Sequence, residues 1–188
     1  MKVLKIFVIT ILAVFILMCA FTLVYKVCIL DRPDRINKHM VALQNRVMAN
    51  PPDKEALNEL INLTHSSKNS FERTAAIVTL GQLKNRAEPG VDALIDALNE
   101  NALFSGREAA ASLGEICPAA RRAIPDLIKA VQKYPDEDTG WFAADSLGHI
   151  ANSNDTEVVE VLKQAAQSSD ERMRFSANKG LQSLNSSH

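Results

Sequence analysis

Residues 107–116, REAAASLGEI, and residues 123–131, AIPDLIKAV, carry the pattern that decides the fold. In the first stretch an alanine, Ala109, stands four residues before a leucine, Leu113. The same pair occurs three more times, with the leucines 33 or 34 residues apart: Ala76 and Leu80, Ala143 and Leu147, Ala177 and Leu181. A period of this length predicts a row of equivalent structural units.

A second series with the same period lies between these stretches. In residues 123–131, the apolar residues Ile124, Leu127 and Ile128 have the spacing that places one stripe along a helix. The equivalent positions in the other units are Leu57, Leu60, Ile61, Val91, Leu94, Ile95, Val158, Val161 and Leu162. Each unit is therefore predicted to be a helix pair, in which a first helix carries the Ala-Leu pair and a second helix carries this stripe.

Local signals place the ends of several helices. Asn69 or Ser70, Ser105 and Asp155 are predicted to cap helices that begin next to them. No segment alternates with a period of two, so the predicted fold class is all-α: an alpha-alpha superhelix of about four helix pairs in residues 54–188. Residues 36–49 are predicted to form a capping helix within a linker that spans residues 31–53.

Small and large side chains predict different packing roles. Gly81, Gly114 and Gly148 follow three of the marker leucines. Glycine inside a helix costs about 1 kcal/mol relative to alanine, so its recurrence indicates close approach between helices. Phe71 and Phe104 share one repeat position and are expected to pack between units.

The two quoted stretches resemble the HEAT repeat, in particular the short form associated with phycobilisome lyases. The resemblance covers roughly residues 54–185 and implies a right-handed solenoid whose second helices line the concave side and bind proteins. Deoxyhypusine hydroxylase is similar in repeat style and implies His-Glu pairs at the start of the first helices. This sequence has no such pair there, but Thr74-Ala75, Arg107-Glu108, Trp141-Phe142 and Phe175-Ser176.

No other motif predicts catalysis or a cofactor. The four histidines, His39, His65, His149 and His188, occupy unrelated repeat positions, so they do not converge on a metal. Cys117 is expected to be a small buried thiol without a neighbouring base. We therefore expect no catalytic, cofactor-binding or metal-binding residues.

The predicted binding residues lie beside the apolar stripe of the second helices. Two rows of residues lie there. One row changes from acidic to basic along the chain, which favours orientation of a protein or peptide; it consists of Asn62, Asp96, Lys129 and Lys163. The other consists of Glu59, Ala93, Asp126 and Glu160. Trp141, the single tryptophan, is a candidate interface anchor because tryptophan is enriched at binding hot spots. The predicted partner-binding residues are Glu59, Asn62, Asp96, Asp126, Lys129, Trp141, Glu160 and Lys163.

The amino-terminal part has a different composition. Residues 6–25, IFVITILAVFILMCAFTLVY, carry no charge, and a helix of this length reaches about 30 Å, enough to span a bilayer. Residues 1–30 are predicted to be an uncleaved signal anchor; a cleaved or lipidated signal is the alternative. The positive-inside rule does not decide the orientation, and we expect the repeat domain on the exported side.

Charge separates the two parts of the chain. Residues 1–38 have a formal charge of +4 and the other 150 residues one of −5, which argues against a nucleic-acid partner. The sequence thus predicts a membrane-tethered, single-pass, non-catalytic scaffold or adaptor for a protein or peptide. The alternatives are an enzyme or subunit of the phycobilin (chromophore) lyase kind and an assembly factor for a membrane complex.

Overall fold

The computed structural model describes residues 32–50, 53–100 and 105–186. The chain divides into two compact units, Met1–Ala42 and Leu43–His188. The described residues form helices and turns without any strand, which confirms the all-α prediction. The predicted anchor at residues 6–25 lies outside them. None of the helices that the structure describes is long and apolar enough to cross a membrane.

Nine α-helices are described, together with two 3₁₀ segments, Lys84–Gly90 and Cys117–Ala123, which precede α4 and α6. The α-helices are α1 (Arg32–Met48), α2 (Lys54–Ser66), α3 (Ser70–Gln82), α4 (Val91–Glu100), α5 (Ser105–Ile116), α6 (Ile124–Lys133), α7 (Asp138–Ile150), α8 (Thr156–Ala165) and α9 (Glu171–Ser186). Helix α1 includes the predicted capping segment, whose capping role stays a prediction.

Within the second unit the helices form the two predicted series. The first helices α3, α5, α7 and α9 contact one another in chain order, and the second helices α2, α4, α6 and α8 pack against them. The marker residues Leu80, Leu113 and Leu147 are completely buried between the two series. Leu181, in the last described helix, is only half-buried. The periodicity therefore reports the core of stacked helix pairs.

The first helices stack closely because small residues meet at their contacts. A methyl group built on Gly81 would lie 2.8 Å from Ser112 Cβ, and one on Gly114 would lie 3.0 Å from Ser146 Cβ. The two serines also join neighbouring helices: Ser112 Oγ donates to the carbonyl of Ile77 (3.1 Å), and Ser146 Oγ to that of Ala110 (2.8 Å). The glycines are thus required by packing, as the sequence indicates.

The predicted caps have different outcomes: Asn69 caps its helix, the prediction for Asp155 is wrong, and Ser105 is itself the first residue of α5. Asn69 Oδ1 accepts hydrogen bonds from the amides of Phe71 (2.9 Å) and Glu72 (3.3 Å) at the start of α3. Asp155 precedes α8, but its side chain makes no bond to that helix. Instead it accepts from Arg121 Nη2 at 2.8 Å and from the amide of Asn152 at 2.7 Å. The bond from Arg121 lowers the pKa of the Asp155 carboxyl and links consecutive units.

Candidate functional site

The aromatic side chains of the second unit lie outside its core. The largest fully buried side chains of the described residues are leucine, isoleucine and methionine. All five described aromatic residues are at least partly exposed: Phe71, Tyr134, Trp141, Phe142 and Phe175. The expectation that Phe71 packs between units is wrong, since 60% of its surface is exposed, and Phe104 lies outside the described residues. Aromatic residues on a surface indicate an interface when they cluster.

Three of these five side chains cluster between α7 and α9. Trp141, Phe142 and Phe175 line a cavity of about 670 Å³. Phe142 is 40% exposed and Phe175 71% exposed, whereas Trp141 is half-buried. We call this cavity the aromatic groove. Its remaining lining residues are Asp138, Asp145, Glu171, Arg172, Ser176 and Lys179.

Charged residues hold one wall of the aromatic groove. The Arg172 guanidinium lies over the Trp141 ring, 4.7 Å from its centroid, and Arg172 Nη1 is 3.7 Å from Asp138 Oδ1. Arg107 Nη1 reaches Asp138 Oδ2 at 3.4 Å. Glu108 and, more weakly, Asp138 raise the pKa of Arg107. The carboxylate of Asp138 therefore joins three successive first helices, because it is shared by cations from α5 and α9.

A second set of charges lies about two helical turns further along α7. Lys179 Nζ is 2.9 Å from Asp145 Oδ2, and His149 Nε2 is 3.7 Å from Asp145 Oδ1. Asp145 Oδ1 is buried without a hydrogen bond, and so is Trp141 Nε1. These are two of the three such side-chain atoms found in the described residues, the third being Arg73 Nε. The wall of the groove that α7 forms thus contains a hydrogen-bond donor and an acceptor that are both unused.

The aromatic groove continues into a cavity of about 550 Å³ between α5 and α7, with which it shares Phe142, Asp145 and Lys179. Cys117 lies in this second cavity, half-exposed and with a positive φ of 60°. Its Sγ donates to the carbonyl of His149 at 3.3 Å. The expectation of a buried Cys117 thiol is therefore wrong, since the residue begins a 3₁₀ segment at the surface instead of continuing α5.

The predicted rows on the second helices lie on a different surface. Asn62, Asp96, Lys129, Glu160 and Lys163 are exposed, and Glu59 and Asp126 are half-buried. Lys129 Nζ pairs with Asp126 Oδ1 at 3.1 Å, and Glu59 Oε2 lies 3.8 Å from Arg46. Of the eight predicted binding residues, Trp141 alone lines the aromatic groove. A binding role for the other seven stays a prediction.

Sequence reasoning identified Trp141 but missed its neighbours Phe142 and Phe175. A signal was present, because these aromatics occupy first-helix positions where other units have Thr74, Ala75, Arg107 and Glu108. A position that tolerates small and charged residues in other units does not need an aromatic side chain for the shared core.

The described residues contain no group of three or more His, Cys, Asp or Glu side chains placed to hold a metal ion. Arg107, Asp138 and Asp145 are held in ion pairs. Exposed aromatic rings beside paired charges are suited to recognition by contact.

The stacked helix pairs define a helical-repeat protein. Residues 105–182, which contain α5 to α8, most of α9 and the aromatic groove, match the family model of HEAT repeats. The fold is similar to the crystal structure of an engineered protein, at 23% sequence identity and a TM-score of 0.56 over 70% of this chain. The chain spans 63% of the length of that protein. No curated protein matches the chain.

Proposed function

We propose that the chain is a non-catalytic scaffold that binds a partner protein through the aromatic groove on its first helices. The observation that carries this proposal is the division of side chains: the core is aliphatic, while Trp141, Phe142 and Phe175 meet at the surface of α7 and α9. Large exposed aromatics in one patch are characteristic of binding hot spots. HEAT repeats, which the chain matches over this region, form extended surfaces for protein interaction.

The first-helix surface is a better candidate than the second-helix rows for an energetic reason. Exposed charges such as Lys129 and Lys163 add little affinity, because water and salt screen them. Burial of Phe142 and Phe175 removes apolar surface from water, at about 25 cal/mol per Å². The rows around Lys129 would then guide the approach of a partner more than they hold it.

The proposal includes a membrane tether at residues 6–25, with the repeat domain on the exported side. Twenty uncharged residues support the tether, and the short amino-terminal flank before a long domain, which is the usual layout of a signal anchor, supports the orientation. A tether concentrates a weak binder close to its target. The repeats resemble the short HEAT-like form of phycobilisome lyases in their sequence pattern, and the proposal does not include lyase activity.

The test compares two double variants of the full chain, isolated with their partners from the cells that make it. Phe142→Ser/Phe175→Ser alters the aromatic groove, and Lys129→Glu/Lys163→Glu reverses two charges of the second-helix row. We expect the first to reduce co-purifying partner at least tenfold and the second to reduce it less than threefold. If the charge-reversal variant lost more partner than the aromatic variant, the second helices would be the binding surface. If both variants retained the partner fully, neither surface would bind it.

A further inference from the structure

We propose that the occupant of the aromatic groove is an extended, uncharged segment of the partner, held by its backbone amides and by apolar side chains. This inference rests on the proposed function and specifies the chemistry of the partner. Three observations carry it. The cations of the groove are paired with carboxylates, two polar atoms of α7 make no hydrogen bond, and the neighbouring side chains of Arg172 and Lys179 are exposed.

The charges of the groove are already paired with one another. Arg172 lies beside Asp138, and Lys179 lies beside Asp145. Glu171, the remaining charged lining residue, is exposed at the start of α9. The lining has three carboxylates and two cations, and the carboxylate in excess, Glu171, is open to water that screens it. A charged side chain that entered beside the two ion pairs would lose its hydration without meeting an unpaired group of opposite charge there. Complementarity therefore favours an uncharged occupant.

The unused polar atoms favour an amide as the group that enters. Trp141 Nε1 can donate one hydrogen bond, and Asp145 Oδ1 can accept one, yet neither does so within the described residues. His149 Nε2 lies 3.7 Å from Asp145 Oδ1, too far for a hydrogen bond. A buried polar atom without a partner is destabilising, and a ligand that satisfies it removes that penalty. A peptide backbone supplies both the acceptor and the donor.

The positions of Trp141 and Asp145 along α7 favour an extended backbone over a helical one. Trp141 and Asp145 are four residues apart on α7, a rise of about 6 Å. In an extended chain, groups that point the same way recur every second residue, about 6.6 Å apart. A helix has already used its amides internally, so only an extended segment offers them along its length. Its side chains would then contact Phe142 and Phe175.

The cationic side chains beside Trp141 and Asp145 can move aside. Arg172 is 73% exposed where it lies over Trp141, and Lys179 is 49% exposed where it pairs with Asp145. Exposed ion pairs contribute little stability, so their rearrangement opposes binding only weakly. Their movement would let an entering segment approach Trp141 and Asp145.

The fluorescence of Trp141 provides the test, because it is the only tryptophan in the chain. The full chain is titrated with pools of five-residue peptides, blocked at both ends, in which the flanking residues are varied among uncharged types. The central residue is fixed as Leu, Phe, Lys or Glu. We expect saturable changes with the Leu and Phe pools, at a Kd at least tenfold lower than for the Lys and Glu pools.

Matched variants define the contacts. Phe142→Ser should raise the Kd of the Leu pool at least tenfold, whereas Phe71→Ser, at an exposed phenylalanine that does not line the groove, should leave it unchanged. Asp145→Asn keeps an acceptor oxygen and should change the Kd less than threefold, while Asp145→Ala should weaken binding about tenfold. If Asp145→Asn weakened binding as much as Asp145→Ala does, the charge of Asp145 would be what binds the peptide. That result would overturn the inference.

The remaining outcomes separate this inference from the proposed function. Tighter binding of the Lys or Glu pool, or no saturable change with any pool, would overturn the inference. The proposed function would still stand if Phe142→Ser/Phe175→Ser lost its partner in cells. Retention of the partner by that double variant would remove the proposed function itself, whatever the peptides do.

Discussion

Replacing Gly148 by alanine should destabilise the protein by about 2–3 kcal/mol, although alanine is the better helix former by about 1 kcal/mol. The reason is the contact between α7 and α9. A methyl group on Gly148 would overlap the backbone of Gly180, with the carbonyl oxygen of Gly180 at 2.7 Å. Backbone atoms cannot turn away as a side-chain end can, so the two helices must separate.

Urea unfolding of the full chain, followed by circular dichroism, measures this change in the free energy of unfolding. In thermal unfolding we expect Tm to fall by about 5–10 °C. Gly90→Ala is the matched control. Its added methyl group would meet the side-chain ends of Leu80 and Ile61 at 3.2 to 3.4 Å, which can adjust. We expect a change below about 1 kcal/mol for this control. A stabilised Gly148→Ala protein would show that helix propensity, and not close stacking, decides at this contact.

Truncation of a buried leucine should cost far more than truncation of an exposed phenylalanine. Leu113 is completely buried between the two helix series, so Leu113→Ala should destabilise the protein by about 3 kcal/mol through lost burial and the cavity that remains. Phe175 is larger but 71% exposed, so Phe175→Ala should change the free energy of unfolding by less than about 0.5 kcal/mol.

The same urea unfolding experiment compares both variants with the parent chain. The contrast separates the two roles assigned to apolar residues, core packing for Leu113 and recognition for Phe175. A loss of 2 kcal/mol or more in Phe175→Ala would mean that this side chain stabilises the fold. Its exposure would then no longer argue for a binding surface.

The sequence predicts the fold well because the buried positions recur at a nearly constant interval along the chain. Each unit buries the same positions, so Leu80, Leu113 and Leu147 recur at a nearly fixed period and reveal the helix pairs. The predicted close contacts at Gly81, Gly114 and Gly148 follow from the same regularity. A repeat average, however, describes what the units share and contains no information about a site that only one pair of units forms.

The aromatic groove is such a site. Phe142 lies on α7 and Phe175 on α9, at positions that are not equivalent in the repeat, and their proximity depends on how the two helices stack. Asp155 is a second case that the local sequence does not predict. Its position predicts a helix cap, but its carboxylate accepts a hydrogen bond from Arg121 of the preceding unit instead. Contacts between units compete with local signals, and a local reading of the sequence does not include them.

The central claim is that the first helices, and not the second, face the partner. A photo-reactive residue placed at position 142 or 175 of the full chain should crosslink to one and the same protein in the cells that make it. The same residue at position 129 or 163 should give less than a tenth of that product. Crosslinks from 129 and 163, with none from 142 or 175, would contradict the account.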